Sequence, residues 1–134
     1  MSGMAEMENK TKKHNISAVI NVVVSDEDID DIMSTALDGG ITYWCGRAEV
    51  VGKFLGEYAS EQISRGGALD LYDIEGNDVF RLTLPKFLAG LRRWIENERS
   101  FYLDGAGRLE VGYIDALAAD AIIQYALFND IWYG

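Results

Sequence analysis

Residues 69–84, with the sequence LDLYDIEGNDVFRLTL, decide the fold class of this chain. Apolar and polar residues alternate on both sides of Glu75–Asp78, and this pattern predicts a hairpin of two antiparallel strands, Leu69–Ile74 and Val79–Leu84. Because alternate residues of a strand point to opposite faces, we expect one face of the sheet to be solvated.

Helical patterns lie on both sides of this hairpin. Ser25 is predicted to be the N-cap of the first helix, with Asp28 in place of the usual Glu of a capping box, and Gly39-Gly40 ends that helix. Pro85 lies in the first turn of a second helix, where its missing N–H costs nothing. Both helices carry apolar residues at the helical period on one side.

A third helix is predicted over Ala116–Phe128, with Asp115 as its cap. It is apolar nearly all round, apart from a narrow polar strip of Asp120 and Gln124. A helix of this kind is normally central and buried.

Two further stretches have strand character. Ile16–Val24 is a β-branched run that predicts a strand buried on at least one face, and Ala48–Val51 is a shorter candidate. The pattern as a whole predicts a single α+β domain over residues 15–134, with a small, mostly antiparallel sheet and about three helices packed on it. Residues 1–14 are expected to be a flexible tail.

Catalytic and metal-ligating side chains are scarce. The chain has one His, His14, which lies in the predicted tail, and one Cys, Cys45, which has no second thiol. This composition argues against His-based catalysis, disulfides and metal binding, so we expect a protein without cofactor, metal or enzymatic activity. A lone cysteine and no export signal favour the cytoplasm.

The charge indicates which partners the chain can have. The net charge is −10, with 22 acidic against 12 basic residues. Such a surface disfavours direct binding of nucleic acid or of an anionic membrane, and it attracts basic proteins, including nucleic-acid-binding ones. Solubility alone would also account for the acidity. The predicted partner-binding residues are Glu27, Asp30, Asp31, Asp70 and Asp73.

The glycine-rich segment 39–67 is a second candidate site. Its aromatic and charged side chains could stack on a small ring and meet a phosphate or carboxylate, as in a nucleotide-signal binder. Arg65 could equally pair with Glu57 or Glu61 and hold the loops together. The candidate ligand-binding residues are Tyr43, Trp44, Arg47, Tyr58, Glu61 and Arg65.

Two segments, Ala36–Gly67 and Ala119–Gly134, resemble a group of small acidic proteins of unknown function that phages and mobile elements of Gram-positive gut bacteria carry. The stretches ITYWC and ISRGG are the most specific parts of the likeness. It implies a phage or prophage protein. Such accessory proteins often bind and inhibit host defence factors, as anti-CRISPR and anti-restriction proteins do, and many of them mimic nucleic acid.

A third possible function is that of a self-associating structural protein, a homodimer that buries Trp132 and Tyr133.

Overall fold

The computed structural model describes residues 11–98 and 103–134. Short turns connect its longer elements, among them a π-helical turn, Ala36–Gly40, that continues the first helix. The helices are α1 (Asp26–Thr35), α2 (Leu84–Asn97) and α3 (Ala116–Phe128), and the strands are β1 (Cys45–Val50), β2 (Ala68–Asp73) and β3 (Val79–Thr83). The predicted α+β fold class is therefore confirmed.

The three strands form an antiparallel sheet in the order β1-β2-β3. The predicted hairpin is its second half, with Leu69 opposite Leu82 and Asp70 opposite Arg81. The two leucines are fully buried on the inner face, whereas Arg81 is exposed on the outer face. One face of the sheet is thus solvated, as the alternation predicts.

The first helix begins as its sequence predicts. The Ser25 side chain accepts a hydrogen bond from the Asp28 N–H at 3.1 Å, and the Asp28 carboxylate accepts one from the Ser25 N–H at 3.0 Å. These reciprocal bonds form the capping box. At the other end Gly40 lies against α3, where a Cβ would come within 2.7 Å of the Ala116 carbonyl oxygen. Only glycine allows this close approach.

The third helix is the centre of the domain, as its apolar surface predicts. Ala119, Ile122 and Ile123 are fully buried in the single core cluster. α2 crosses α3 closely at Gly90, where a Cβ would lie 2.5 Å from the Ala126 nitrogen. This close approach lets α2 pack along the buried helix through an extensive contact.

Two sequence predictions need correction. Ile16–Val24 is not a strand of the sheet, since within the described residues its one bridge is the isolated one between Val23 and Arg108. A β-branched run becomes a strand only where backbone partners are available, and here the segment lies beside α2 and is not one of the paired strands of the sheet. The short strand expected at Ala48–Val51 begins earlier, at Cys45. Most of the predicted tail, residues 1–10, lies outside the described residues.

Candidate functional site

One side of α1 carries a row of exposed carboxylates. Glu27, Asp31 and Asp38 are spaced four and seven residues apart, which places them on one side of the helix and its π-helical turn, along about 16 Å. Within residues 11–98 and 103–134, none of the three has an ion-pair partner. We refer to Glu27, Asp31 and Asp38 as the acidic stripe.

The packing of α1 explains which of its acids reach solvent. Ile29, Ile32 and the rest of the apolar side of the helix face the core, so the stripe points directly away from it. Asp28 points inward, is 6% exposed, and lies 3.7 Å from the guanidinium of Arg108. Asp30 is half-buried and accepts a hydrogen bond from the Ser64 hydroxyl. The acids of residues 26–31 are therefore divided between buried or hydrogen-bonded carboxylates and exposed ones.

The two predicted acids of the sheet have partners within the chain. Asp70 accepts two hydrogen bonds from the Arg81 guanidinium, at 2.9 and 3.0 Å. This side-chain hydrogen bonding lowers the pKa of Asp70 below its ordinary value. Asp73 accepts a hydrogen bond from the Tyr133 hydroxyl at 3.1 Å and another from the Glu75 N–H at 2.7 Å. Both lie on β2, so the structure does not bring them onto the stripe.

On the outer face of the sheet, basic side chains form ion pairs with acidic ones. Arg47, one of the candidate ligand-binding residues, forms an ion pair with Glu49 at 3.0 Å. Its guanidinium also lies 4.0 Å from the centre of the Tyr72 ring, whose hydroxyl donates to Glu49. Arg47 is thus a member of a surface network and not an isolated cation.

Trp44 belongs to the core. It is 2% exposed, and Tyr133 stacks on it in parallel, with 4.7 Å between the ring centroids. Its indole N–H donates to Asp120 at 2.8 Å. A side chain held in this way has no free face for an incoming base, so the structure does not support Trp44 as a stacking platform for a ligand.

The remaining candidates of the glycine-rich segment hold a loop together. One carboxylate oxygen of Glu61 accepts hydrogen bonds from the backbone N–H groups of Glu57 and Tyr58, at 2.7 and 3.0 Å. The bonds from Tyr58 and Glu57 lower the pKa of Glu61. Arg65 lies 3.8 Å from the same carboxyl group, which is the structural alternative that the sequence left open. Tyr58 remains 62% exposed.

Sequence reasoning did not identify what the polar strip of α3 does. Asp120 accepts hydrogen bonds from the Tyr43 hydroxyl at 2.6 Å and from Gln124 at 2.9 Å, in addition to the Trp44 indole. The Gln124 side-chain oxygen in turn accepts the backbone N–H groups of Trp132 and Tyr133. The strip therefore fastens the last residues of the chain onto the domain. Its signal in the sequence was a pair of polar residues four apart on an otherwise apolar helix.

The same network perturbs the titration of a tyrosine. Burial of the hydroxyl, together with its hydrogen bond to Asp120 and repulsion by that carboxylate, raises the pKa of Tyr43 to about 12. The ring itself is 49% exposed, and it is the hydroxyl end of the side chain that contacts Asp120 and Gln124.

A groove that the sequence did not predict lies between residues 18–24 and α2. It has a volume of about 650 Å³ and is lined by apolar side chains of both, including Ile20, Val22, Leu88, Leu91 and Ile95. A smaller cavity of about 230 Å³ lies near Trp94 and Tyr113. Neither cavity is lined by the candidate ligand-binding residues.

Comparison with known proteins gives no further assignment: no protein family, curated protein or solved structure matches the chain. Among residues 11–98 and 103–134, no group of three or more His, Cys, Asp or Glu side chains is placed to hold a metal ion. Over the same residues, no helix combines the length and the hydropathy of a membrane span.

Proposed function

We propose that this chain is a non-enzymatic binding protein whose acidic stripe engages a basic protein. The observation that carries the proposal is the contrast between acids that have a cationic partner and acids that have none among the described residues. Arg81 neutralises Asp70 on the sheet, whereas Glu27, Asp31 and Asp38 are left uncompensated within the described part of the chain. Aligned, uncompensated charges attract a surface of the opposite sign and guide its approach.

The class of partner follows from the spacing of the charges. Along the helix axis, the carboxylates of the stripe are about 6 Å apart between Glu27 and Asp31 and about 10 Å apart between Asp31 and Asp38. One strand of DNA carries a phosphate every 3.4 Å or so. A groove that binds nucleic acid would therefore meet a similar, sparser row of negative charge. We propose that the partner is a nucleic-acid-binding protein.

The proposed setting is a phage or prophage protein that inhibits a host defence factor, such as a CRISPR nuclease or a restriction enzyme. This step rests on the resemblance of Ala36–Gly67 and Ala119–Gly134 to small acidic phage proteins. An inhibitor of this kind needs no catalytic group, and an acidic surface that occupies a basic groove blocks the nucleic acid by competition.

A salt-dependent capture experiment tests the proposal. The purified chain is immobilised and incubated with a lysate of a Gram-positive gut bacterium at low and at high ionic strength, and the bound proteins are identified by mass spectrometry. We expect a basic nucleic-acid-binding protein that is retained at low salt and released at high salt, because salt screens exposed charges.

Matched variants assign the binding to the stripe. The variant Glu27→Gln/Asp31→Asn/Asp38→Asn removes three charges from the stripe. The control Glu57→Gln/Glu75→Gln/Glu110→Gln removes three exposed charges elsewhere, so both have the same net charge. Loss of three exposed ion pairs should weaken binding about tenfold or more for the stripe variant only. Equal weakening in both variants would show that binding depends only on the net charge, and that result would contradict the proposal.

The small-ligand alternative needs a test that does not unfold the protein. Trp44→Ala should cost about 3–5 kcal/mol of stability, because Trp44 is a buried core residue. The exposed Tyr58→Ala is the better probe. If nucleotides raise the melting temperature of the chain, and Tyr58→Ala removes that rise while the stripe variant does not, the ligand-binding alternative is favoured.

A further inference from the structure

The fold leaves most of the apolar segment Ile16–Val24 uncovered, since residues 16–21 are exposed and only Val22 and Val24 pack partly against the core. Val19 is 97% exposed, although it lies in the middle of a β-branched run. Within the described part of the chain, the backbone hydrogen bonds of the segment join only Val23, to Gly107 at 2.9 Å and to Leu109 at 3.1 Å. An unpaired β-branched run of this kind is a template for strand pairing with another chain.

The segment is also the place where two copies of this acidic protein can approach each other. Residues from Asn15 to Ser25 carry no charge, whereas the chain as a whole has a net charge of −10. Contact at any of the acidic surfaces would bring like charges together, and contact through this segment avoids that repulsion.

We propose that two copies of the chain associate by antiparallel pairing of Ile16–Val24 across a two-fold axis at Ile20. In this register the pairs on one face of the two-stranded ribbon are all apolar. Ile16 lies opposite Val24, Ala18 lies opposite Val22, and Ile20 lies opposite its own copy. The interface is isologous, as in most symmetric dimers.

Charge complementarity at the two ends of the ribbon identifies a second copy as the occupant. Lys12 and Lys13 precede the segment, Asp26 and Glu27 follow it, and all four are exposed. Antiparallel pairing brings the lysines of one copy to the carboxylates of the other, at both ends of the ribbon. A shift of two residues towards the C-terminus would instead require Asp26, the first residue of α1, to join the ribbon opposite Ile16. Both the apolar pairs and the end charges therefore select the same register.

The groove beside α2 supports the ribbon. A two-stranded ribbon alone is marginally stable in water, and packing against a helix stabilises it. Leu88, Leu91 and Ile95 of α2 line the groove of about 650 Å³ that faces the segment. In the dimer the ribbon packs its apolar face on the α2 helices of the two copies.

Cysteine cross-linking of the full chain tests both the pairing and its register. Ile20→Cys places the two introduced residues directly opposite each other, with Cα atoms about 4.5–5.5 Å apart, within disulfide reach. Val23→Cys is the matched control, since Ile20 and Val23 are similarly exposed at 55% and 50%. In the proposed register its copies are about 20 Å apart. We expect Ile20→Cys to form a reducible dimer at least about tenfold faster than Val23→Cys. Equal rates would overturn the proposal.

Sedimentation of the purified chain tests the association without cross-linking. We expect a mass that rises from monomer to dimer with concentration, and a weaker dimer for Lys12→Glu/Lys13→Glu at low salt. Lys53→Glu/Lys86→Glu makes the same charge change away from the ribbon and should weaken it less. If another protein or residues 1–10 covered the segment, the purified chain would stay monomeric up to about 1 mM, and that result overturns the proposal. Neither experiment involves the basic partner, so their outcome is independent of the proposed function.

Discussion

On α1, Glu27 and Asp31 face solvent and have no cation beside them in the described part of the chain. On the sheet, Asp70 is held by Arg81 through two short hydrogen bonds, and Glu49 is held by Arg47. The two regions are similar in composition and differ in how their charge is compensated. The comparison teaches that the net charge of a chain does not tell which of its carboxylates are compensated, whereas the contacts around each carboxylate do.

The largest effect is expected from reversing the charge of the stripe. Glu27→Lys/Asp31→Lys/Asp38→Lys places like charges against a basic partner, and we expect a loss of affinity of about 100-fold or more, since like-charge contact costs several kcal/mol. The affinity of the captured partner for each variant, measured by titration calorimetry, checks this. Reversal of Glu57, Glu75 and Glu110 should change the affinity much less, and an equal loss would remove the distinction between the stripe and other acids.

A smaller effect, on stability, is expected when Asp70 of the sheet loses its cationic partner. Arg81→Ala leaves Asp70 without its two hydrogen bonds and should lower the free energy of unfolding by more than Arg92→Ala does. Arg92→Ala is the control, because Arg92 forms a longer ion pair of 3.6 Å with Glu96 on the exposed side of α2. Urea unfolding of both variants gives the comparison. If Arg92→Ala proves as costly as Arg81→Ala, the pair on the sheet has no special role.

The pH dependence of stability should also differ between these variants. The pKa of Asp70 is lowered in the folded state, so its contribution is present above the unfolded value of 3.8 and is lost as the pH falls through the folded value. Below about pH 4 the wild type should therefore lose stability more steeply than Arg81→Ala. Urea midpoints measured from neutral to acidic pH test this, and parallel curves would contradict it.

An opposite pH dependence is expected at the alkaline end. Because the pKa of Tyr43 is raised to about 12, the protonated hydroxyl stabilises the fold below the ordinary tyrosine value of 10.0, and this contribution is lost towards pH 12. Tyr43→Phe should flatten that part of the stability curve. Thermal unfolding of both proteins across this range measures the difference, and an unchanged slope in the variant would contradict a raised pKa of the Tyr43 hydroxyl in the folded chain.

The smallest effect is expected from neutralising one acid of the stripe. Asp31→Asn removes no contact of the folded chain and should change stability by less than about 0.5 kcal/mol. Any gain should come from reduced repulsion with its neighbours and should vanish at high salt. Melting temperatures at two ionic strengths measure this. A large loss would mean that Asp31 has a structural partner and is not free to bind.

Local patterns in the sequence predict much of this fold. The hairpin, the capping box at Ser25 and the buried helix α3 depend on residues close in sequence, and all three are confirmed. The prediction for Ile16–Val24 was wrong because a strand requires a backbone partner, which is supplied by the tertiary arrangement and not by the segment itself.

The contacts of the candidate site also fall into two groups, those that local patterns predict and those that join distant parts of the chain. The pairing of Asp70 with Arg81 could have been found from the sequence, because the register of the hairpin places them opposite each other. The burial of Asp28 beside Arg108 and the docking of Tyr133 on Trp44 join residues far apart in the chain, and no local pattern reveals them.

The most direct test of the account is a competition between this chain and nucleic acid for the captured partner. The partner is loaded with a fluorescently labelled oligonucleotide, and its anisotropy is followed while the chain is added at low and at high salt. We predict that the wild type and the control variant displace the oligonucleotide at low salt, that Glu27→Gln/Asp31→Asn/Asp38→Asn does so only at about tenfold higher concentration, and that salt removes the difference. A partner that binds the chain and the oligonucleotide together would contradict the claim that the stripe occupies a nucleic-acid-binding surface.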